Sequence, residues 1–137
     1  MEAQLSYIGR IQTPYRSLDD CPRNIEPGGP LCRLAIDPPF AAGLEGLAPG
    51  QQILILYWFE AVNRGNLRQA SRRTGEPAGV FALRTPHRPN PIGAAVLRIE
   101  ELDGSGILVR GLDCLDGTPL LDIKPAMAAE TGRSTWQ

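Results

Sequence analysis

The chain has 137 residues, of which 42% are hydrophobic and 21% charged, and its formal net charge is −1. This length fits one unit with its own core, so we predict a single domain over residues 1–137. Since no apolar run approaches the roughly 20 residues of a membrane-spanning helix, and the first ten residues lack the features of a secretory signal, we expect a cytoplasmic protein that does not enter a membrane.

Seven segments have the composition of short β-strands. In chain order they are 5–13, 32–36, 52–59, 79–84, 93–102, 107–112 and 120–124. Gln52–Phe59 is a continuous apolar run of buried-strand length, and Asp103-Gly104-Ser105-Gly106 predicts a hairpin turn. Helix is limited to two predicted segments, Phe40–Leu47 and a short basic helix over Asn66–Arg73.

This pattern favours an all-β fold. The 13 prolines and 15 glycines argue against long helices, and many short strands at regular spacing suggest a sandwich or a barrel. The connections leave no room for the crossover helices of a parallel sheet. Since no GxGxxG follows a strand, an adenine cofactor would not be bound as in a Rossmann fold.

The cysteines and the single histidine indicate neither a disulfide framework nor a metal centre. Cys21, Cys32 and Cys114 are odd in number and widely spaced, without a CxxC pair. His87 has no acidic or thiol neighbours at ligand spacing. We therefore predict free thiols in a reducing compartment and no bound metal.

Positive charge is concentrated between residues 63 and 98. Seven arginines and one acidic residue, Glu76, give this segment a charge of +6. The arginines are Arg64, Arg68, Arg72, Arg73, Arg84, Arg88 and Arg98. Their planar forks suit a phosphate-bearing partner, although pairing with the protein's own acids explains the charge pattern equally well.

Two motifs are dense in polar and turn-forming residues. In 84–93 (RTPHRPNPIG), three prolines stiffen a loop that carries Arg84, His87, Arg88 and Asn90. This arrangement is typical of a binding loop, and a rigid connection with strand-capping side chains is the alternative.

The second motif, 113–125 (DCLDGTPLLDIKP), places Asp113, Asp116 and Asp122 close to Lys124. A structural β-turn explains its DGTP segment, whereas its carboxylates suit amino or hydroxyl groups of a ligand. A third segment, Pro22-Arg23-Asn24, taken alone predicts a loop.

These motifs resemble those of the TrmO or TsaA-like family of S-adenosylmethionine-dependent tRNA methyltransferases. The resemblance rests on two motifs, GVFALR followed by HRPNPIG and then GLDCLDGTPLLDIKP downstream. Three further segments occur in the same order as in the family: IGRIQTPY, PRN and GLEGL. The resemblance extends from about Tyr7 to Pro125. The chain has Asn24, Glu60 and Ala126 where many family members have glutamine, histidine and tyrosine.

The resemblance implies a compact single-sheeted β-barrel, a homodimer, and S-adenosylmethionine as cofactor. It implies N6-methylation of threonylcarbamoyladenosine next to the anticodon, with tRNA as partner. Two alternatives stay open: a small-molecule methyltransferase of the same fold, and a non-catalytic module that binds S-adenosylmethionine or RNA.

The resemblance also assigns site residues by motif position. Cofactor-binding positions are Pro22, Arg23, Asn24, Glu60, Ala61, Arg84, Ala94, Asp116, Gly117, Thr118 and Pro119. Trp58 and Phe59 join them as aromatic side chains that can pack on adenine or near the sulfonium. The predicted tRNA contacts are Arg68, Arg72, Arg73 and Arg88, and the catalytic candidates are His87 and Asn90.

Overall fold

The computed structural model describes residues 1–131, and this part of the chain is mostly β-sheet. Its strands are β1 (Gly9–Gln12), β2 (Leu31–Ile36), β3 (Gln52–Trp58), β4 (Arg68–Ala70), β5 (Pro77–Gly79), β6 (Ile92–Arg98), β7 (Glu101–Asp103), β8 (Gly106–Arg110) and β9 (Thr118–Pro125). Short 3-10 helices span Leu18–Asp20, Pro38–Leu44 and Val80–Ala82, and one α-helix, α1, spans Ala128–Thr131.

Seven strands form one antiparallel sheet in the order β6-β3-β9-β1-β2-β8-β7, while β4 and β5 form a separate two-stranded sheet. Buried and more exposed residues alternate along β3, where Ile53, Ile55 and Tyr57 point inward. This alternation places one face of the sheet on the hydrophobic core, which also includes Ile11, Leu34, Leu97, Ile99, Ile107, Val109, Leu112 and Leu120.

The sheet is curled, but it is not closed into a barrel. Its two edge strands, β6 and β7, are separated in the chain only by Ile99 and Glu100, so the edges approach each other. Within residues 1–131, β6 and β7 form no hydrogen-bonded pair, because they follow one another end to end in the chain. Between them, the Glu100 N–H donates to the Leu108 carbonyl of β8 at 2.7 Å. The predicted all-β fold is confirmed, and the predicted closed barrel is not.

Two predicted elements are wrong. Asn66–Arg73 contains strand β4 instead of a basic helix, since Gln69 pairs with Ala78 of β5. Gly79–Arg84 is not a strand, because the chain leaves β5 at Gly79 and enters a 3-10 turn. Pairing with β5 overrides the local composition in the first case, and the 3-10 turn at Val80–Ala82 ends the strand in the second. The helical turn near Phe40 and the hairpin at 103–106, where Asp103 pairs with Gly106, are confirmed.

Among residues 1–131, no helix is long and apolar enough to cross a membrane. The same residues contain no group of three or more His, Cys, Asp or Glu side chains arranged to hold a metal ion.

Candidate functional site

The strand register brings the predicted motifs to one end of the sheet. Tyr57, near the end of β3, pairs with Gly93 at the start of β6 and with Leu120 near the start of β9. At the neighbouring strands, Gln12 of β1 pairs with Arg33 of β2. The loops at this end, which we call the loop end, are residues 13–30, 59–67, 84–91 and 111–117.

The 84–91 loop is held by its own Arg88. The Arg88 guanidinium donates from Nη1 to the carbonyls of Leu83 and Thr85, at 2.9 and 3.0 Å. The Thr85 hydroxyl in turn accepts a bond from the His87 N–H at 3.2 Å. Arg88, a predicted tRNA contact, is thus half-buried and engaged within its own loop.

Loop 59–67 is fastened to the 84–91 loop through His87 and Arg64. The Asn63 N–H donates to His87 Nδ1 at 3.1 Å, so the neutral imidazole carries its proton on Nε2. Arg64 donates from Nε to the Pro89 carbonyl at 2.8 Å, and its guanidinium lies 5.0 Å from the centre of the Trp58 ring. Exposed His87 therefore presents an N–H donor to solvent.

Asn90 is exposed, and the backbone beside it is already hydrogen-bonded. Its carbonyl accepts from the Ile92 N–H at 2.8 Å, and the Pro91 carbonyl accepts from the Phe59 N–H at 2.9 Å. Phe59 itself is half-buried and packs edge-on against Tyr57, with ring centroids 5.4 Å apart. Asn90 therefore adds an exposed side-chain amide to this corner, beside the exposed His87.

The second motif forms a tight turn anchored on β1. Asp116 Oδ1 accepts from the Thr13 N–H at 3.0 Å, and the Gly117 N–H donates to the Ile11 carbonyl at 2.8 Å. Gly117 has a φ of +86°, which favours glycine. Thr118 and Pro119 are buried, and the Thr118 hydroxyl donates to the Leu115 carbonyl at 2.6 Å. Asp116 and Gly117 are the exposed members of the predicted quartet.

Arg10 joins this turn to the end of β3. Its Nη1 lies 3.2 Å from the Gly117 carbonyl and 4.0 Å from Glu60 Oε1, and its guanidinium lies over the Tyr7 ring. Sequence reasoning did not single out Arg10, since an arginine in a predicted strand gives no local signal. Next to Glu60, Ala61 has a φ of +55°, which is uncommon for a non-glycine residue and marks a sharp bend.

The Pro22-Arg23-Asn24 segment also reaches the loop end. Pro22 is half-buried, whereas Arg23 and Asn24 are exposed. The segment is anchored a few residues later, where the Glu26 N–H donates to the Gly111 carbonyl at 2.8 Å. Gly111 has a φ of +95°, and a Cβ there would collide with the Glu26 carbonyl.

Arg84 and Asp113 bring opposite charges to the loop end. Arg84 donates from Nη2 to the Ala94 carbonyl at 3.3 Å, and Ala94 pairs with Leu56 beside Tyr57. The Tyr57 hydroxyl donates to Asp113 Oδ1 at 2.8 Å. Burial raises the pKa of the Asp113 carboxyl, while the bond from Tyr57 and the charge of Arg84 oppose this rise.

The arginines of the basic segment are not neutralised by acidic side chains. Within residues 1–131, none of the seven between 63 and 98 forms an ion pair; the ion pairs involve Arg10, Arg33, Arg110 and Lys124. Arg68, Arg72 and Arg73 are exposed on β4 and the turn that leads to β5. This placement leaves them open to a phosphate-bearing partner.

Two surface recesses, of about 350 and 260 Å³, lie on the β1, β2 and β8 side of the sheet, and the larger one reaches Thr13 and Pro14 of the loop end. They are lined mainly by residues of β1, β2, β7 and β8, together with Thr13, Pro14 and Glu100, and Leu31 and Leu108 line both. Neither recess is lined by a residue predicted to bind cofactor.

The profile of a protein family described as the tRNA-methyltransferase O N-terminal domain matches residues 10–130. The chain belongs to this family. The resemblance seen in the motifs is therefore confirmed, and the loop end is the part of this family domain where those motifs converge.

Relatives and solved structures agree with the family. A "Probable S-adenosyl-L-methionine-binding protein VirR" of Rhizobium radiobacter is 47% identical over 124 residues, covering 90% of this chain and 71% of that protein. A mouse tRNA (adenine(37)-N6)-methyltransferase is 40% identical over 88 residues, covering 62% of this chain and 20% of that protein. The crystal structure of TrmO from Pseudomonas aeruginosa has a TM-score of 0.76 at 33% identity, and the match covers 100% of this chain but 62% of that one.

The family domain thus presents three groups of side chains around one end of the sheet. Exposed guanidinium and amide groups come from Arg23, Asn24 and Arg84. Exposed carboxylates come from Glu60 and Asp116, and aromatic surface from Trp58 and Phe59. This set can bind a ligand that has anionic, hydroxyl and planar aromatic parts.

Proposed function

We propose that this domain is an S-adenosylmethionine-dependent methyltransferase that methylates N6 of threonylcarbamoyladenosine next to the anticodon of tRNA. The observation that carries the proposal is the convergence of the family motifs at the loop end, beside arginines that have no acidic partners among residues 1–131. The names of the relatives support the cofactor and the position of the modified adenine.

The side chains of the loop end fit this cofactor. S-Adenosylmethionine carries an amino acid group, ribose hydroxyls, an adenine ring and a sulfonium. Arg84 suits the carboxylate, and the exposed carboxylates of Glu60 and Asp116 suit hydroxyl or amino groups. Phe59 offers ring surface to adenine, whereas one face of Trp58 is occupied by Arg64. When bound, the cofactor supplies a methyl group on an electrophilic sulfur.

Catalysis by the chain's own residues is then mainly orientation. His87 presents Nε2–H once Nδ1 has accepted the Asn63 N–H, so it serves as a donor to an oxygen of the substrate instead of removing a proton. Each of the carbonyls of Asn90 and Pro91 already accepts one backbone bond, so we assign to the exposed Asn90 side-chain oxygen the role of accepting from the exocyclic amine and orienting its lone pair.

The basic segment serves as the tRNA-binding surface in this proposal. Arg68, Arg72 and Arg73 lie on the exposed β4–β5 hairpin, and phosphate contacts by such arginines position an RNA without reading its sequence. Replacing all three by alanine should weaken tRNA binding and flatten its salt dependence, while cofactor affinity is unchanged. A tRNA substrate also agrees with the predicted cytoplasmic location.

A homodimer is part of the proposal. Leu67, Phe81 and Ile92 lie near the motif loops and are 61, 83 and 41% exposed. Exposed apolar side chains of this size favour a protein contact, and a second subunit that covers them would also enclose the cofactor residues. Sedimentation of the wild type and of Phe81→Asp tests this: the variant should sediment as a monomer.

Transfer of labelled methyl groups tests the activity. Bulk tRNA and a small-metabolite extract are offered as separate acceptors, with Asn90→Ala as the variant. Label in tRNA, located by nucleoside analysis on N6 of threonylcarbamoyladenosine and strongly reduced by the variant, is the expected result. Label only in the extract would indicate a small-molecule methyltransferase, and cofactor binding without transfer to either would indicate a non-catalytic module.

A further inference from the structure

Asp113 differs from the other two aspartates of its motif. Asp116 Oδ1 accepts the Thr13 N–H, and Asp122 accepts the Ile123 N–H at 2.8 Å and lies 3.5 Å from Lys124 Nζ. Asp113 has neither role. It is half-buried at the loop end, and its Oδ1 accepts the Tyr57 hydroxyl.

Within residues 1–131, Tyr57 is the side chain that hydrogen-bonds to the Asp113 carboxylate, and the residue's own backbone N–H also acts on it. Tyr57 is 2% exposed and lies near the end of β3, between β6 and β9. Because its ring is fixed by packing against Gly93 and Phe59, the bond from its hydroxyl fixes the orientation of the carboxylate. Asp113 therefore offers a pre-oriented acceptor at the loop end.

Arg84 supplies the opposite charge close by without pairing with Asp113. The Ala94 carbonyl that Arg84 bonds to belongs to the β6 residue next to Gly93, which pairs with Tyr57, the partner of Asp113, yet the two charged side chains form no ion pair within 4.0 Å. Arg84 is held instead by the Ala94 carbonyl of β6. Two opposite charges that are fixed separately and lie near each other match a zwitterion, with each charge meeting one end of the ligand.

We propose that Asp113 binds the α-ammonium group of S-adenosylmethionine while Arg84 binds its α-carboxylate. This inference rests on the cofactor of the proposed function, and it adds Asp113 to the residues assigned from the family motifs. The burial of Asp113 strengthens its interaction with a cation, and the ammonium compensates for the cost of an ionised carboxylate in a half-buried position.

Calorimetric titration with two product-like ligands tests the proposal. S-Adenosylhomocysteine and 5′-methylthioadenosine are both neutral at sulfur, and the amino acid group of the first is absent from the second. Asp113→Asn should raise the Kd of S-adenosylhomocysteine about tenfold or more, because a charge-assisted bond is lost. The Kd of methylthioadenosine should stay within about twofold. Asp122→Asn, the same change nine positions along the motif, should alter neither Kd.

An equal rise in the Kd of both ligands in Asp113→Asn would overturn the proposal and indicate a structural role for Asp113. An unchanged Kd for S-adenosylhomocysteine would also overturn it. Tyr57→Phe keeps the proposal testable if Asp113→Asn does not fold, since it leaves the charge but frees the carboxylate. It should weaken S-adenosylhomocysteine selectively, by a smaller factor, and a loss shared with methylthioadenosine would count against the proposal. If the wild type binds neither ligand, the proposed function fails and this inference with it. If the wild type binds S-adenosylhomocysteine but the Asp113 and Tyr57 variants do not weaken it selectively, the inference alone is overturned.

Discussion

The hydroxyl of Tyr57 donates a hydrogen bond to Oδ1 of Asp113 at 2.8 Å, across 56 positions of the chain. It ties the end of β3 to the loop that precedes β9, and both lie at the loop end. Burial raises the pKa of Tyr57 well above its ordinary value, so the hydroxyl remains a donor at all physiological pH values.

Tyr57→Phe should lower the free energy of unfolding by about 1–2 kcal/mol, because it removes the donor of a buried hydrogen bond and leaves the Asp113 oxygen without it. Urea denaturation measures the change. Tyr7→Phe is the control, since Tyr7 is 38% exposed and contacts Arg10 through its ring. Similar losses in both variants would show that the Tyr57–Asp113 bond has no specific effect on stability.

The stability of the wild type relative to Asp113→Asn should fall as pH rises. Burial raises the folded-state pKa of Asp113 above its ordinary value of 3.8. The folded state therefore keeps this proton after the unfolded chain has lost it, so the group's contribution is fully present below pH 3.8 and is lost as pH rises through the folded-state pKa. Urea denaturation of both proteins at a series of pH values from below 3.8 upward measures this difference in stability. A wild type that gains stability relative to Asp113→Asn as pH rises would contradict the prediction.

Gly93→Ala should destabilise the domain. A Cβ at Gly93 would lie 2.5 Å from Tyr57 Cε2 and 2.8 Å from Phe59 Cε2, so both rings must move. Overpacking of this kind costs about 1–3 kcal/mol, and the shift of Tyr57 should also weaken S-adenosylhomocysteine binding. Gly43→Ala is the matched control, because a Cβ there meets nothing within 4 Å. Thermal unfolding of the two variants gives the comparison, and equal Tm values would refute the packing argument.

Arg88 should affect the rigidity of loop 84–91, whereas Arg72 should affect tRNA binding. Arg88→Ala removes both bonds to the Leu83 and Thr85 carbonyls, so amide hydrogen exchange in loop 84–91 should become faster. Arg72→Ala, on the exposed β4–β5 turn, should leave that exchange unchanged and reduce the salt dependence of tRNA binding. An unchanged exchange rate in Arg88→Ala would mean that the prolines alone hold the loop.

The three cysteines should react with a thiol reagent in two classes. Burial raises the pKa of Cys114 to about 12, and Cys32 is also buried. Since the thiolate is the reactive form, both should stay unlabelled in the folded protein at pH 8. Cys21 is partly exposed and should react first. Mass spectrometry after labelling checks this: one adduct is expected in native buffer and three in denaturant.

Several features followed from local sequence. The continuous apolar run at 52–59 predicted β3, because its length and composition suit a strand with a buried face. The Asp103–Gly106 turn predicted the β7–β8 hairpin. The motifs 84–93 and 113–125 identified the family, which the matching profile confirmed. These features depend on neighbouring residues, so the chain order alone was enough.

What each polar residue does was decided only by the tertiary structure. Asp113 and Asp116 lie three positions apart in one motif, and long-range packing gives them different distant partners, Tyr57 and Thr13, whereas Asp122 bonds to its own neighbours Ile123 and Lys124. The same holds for β4, whose helix-favouring composition was overridden by pairing with β5. The partners of Asp113 and Asp116 lie 56 and 103 positions away, and β4 pairs with a segment beyond its own window, so local periodicity carries no information about which groups will meet.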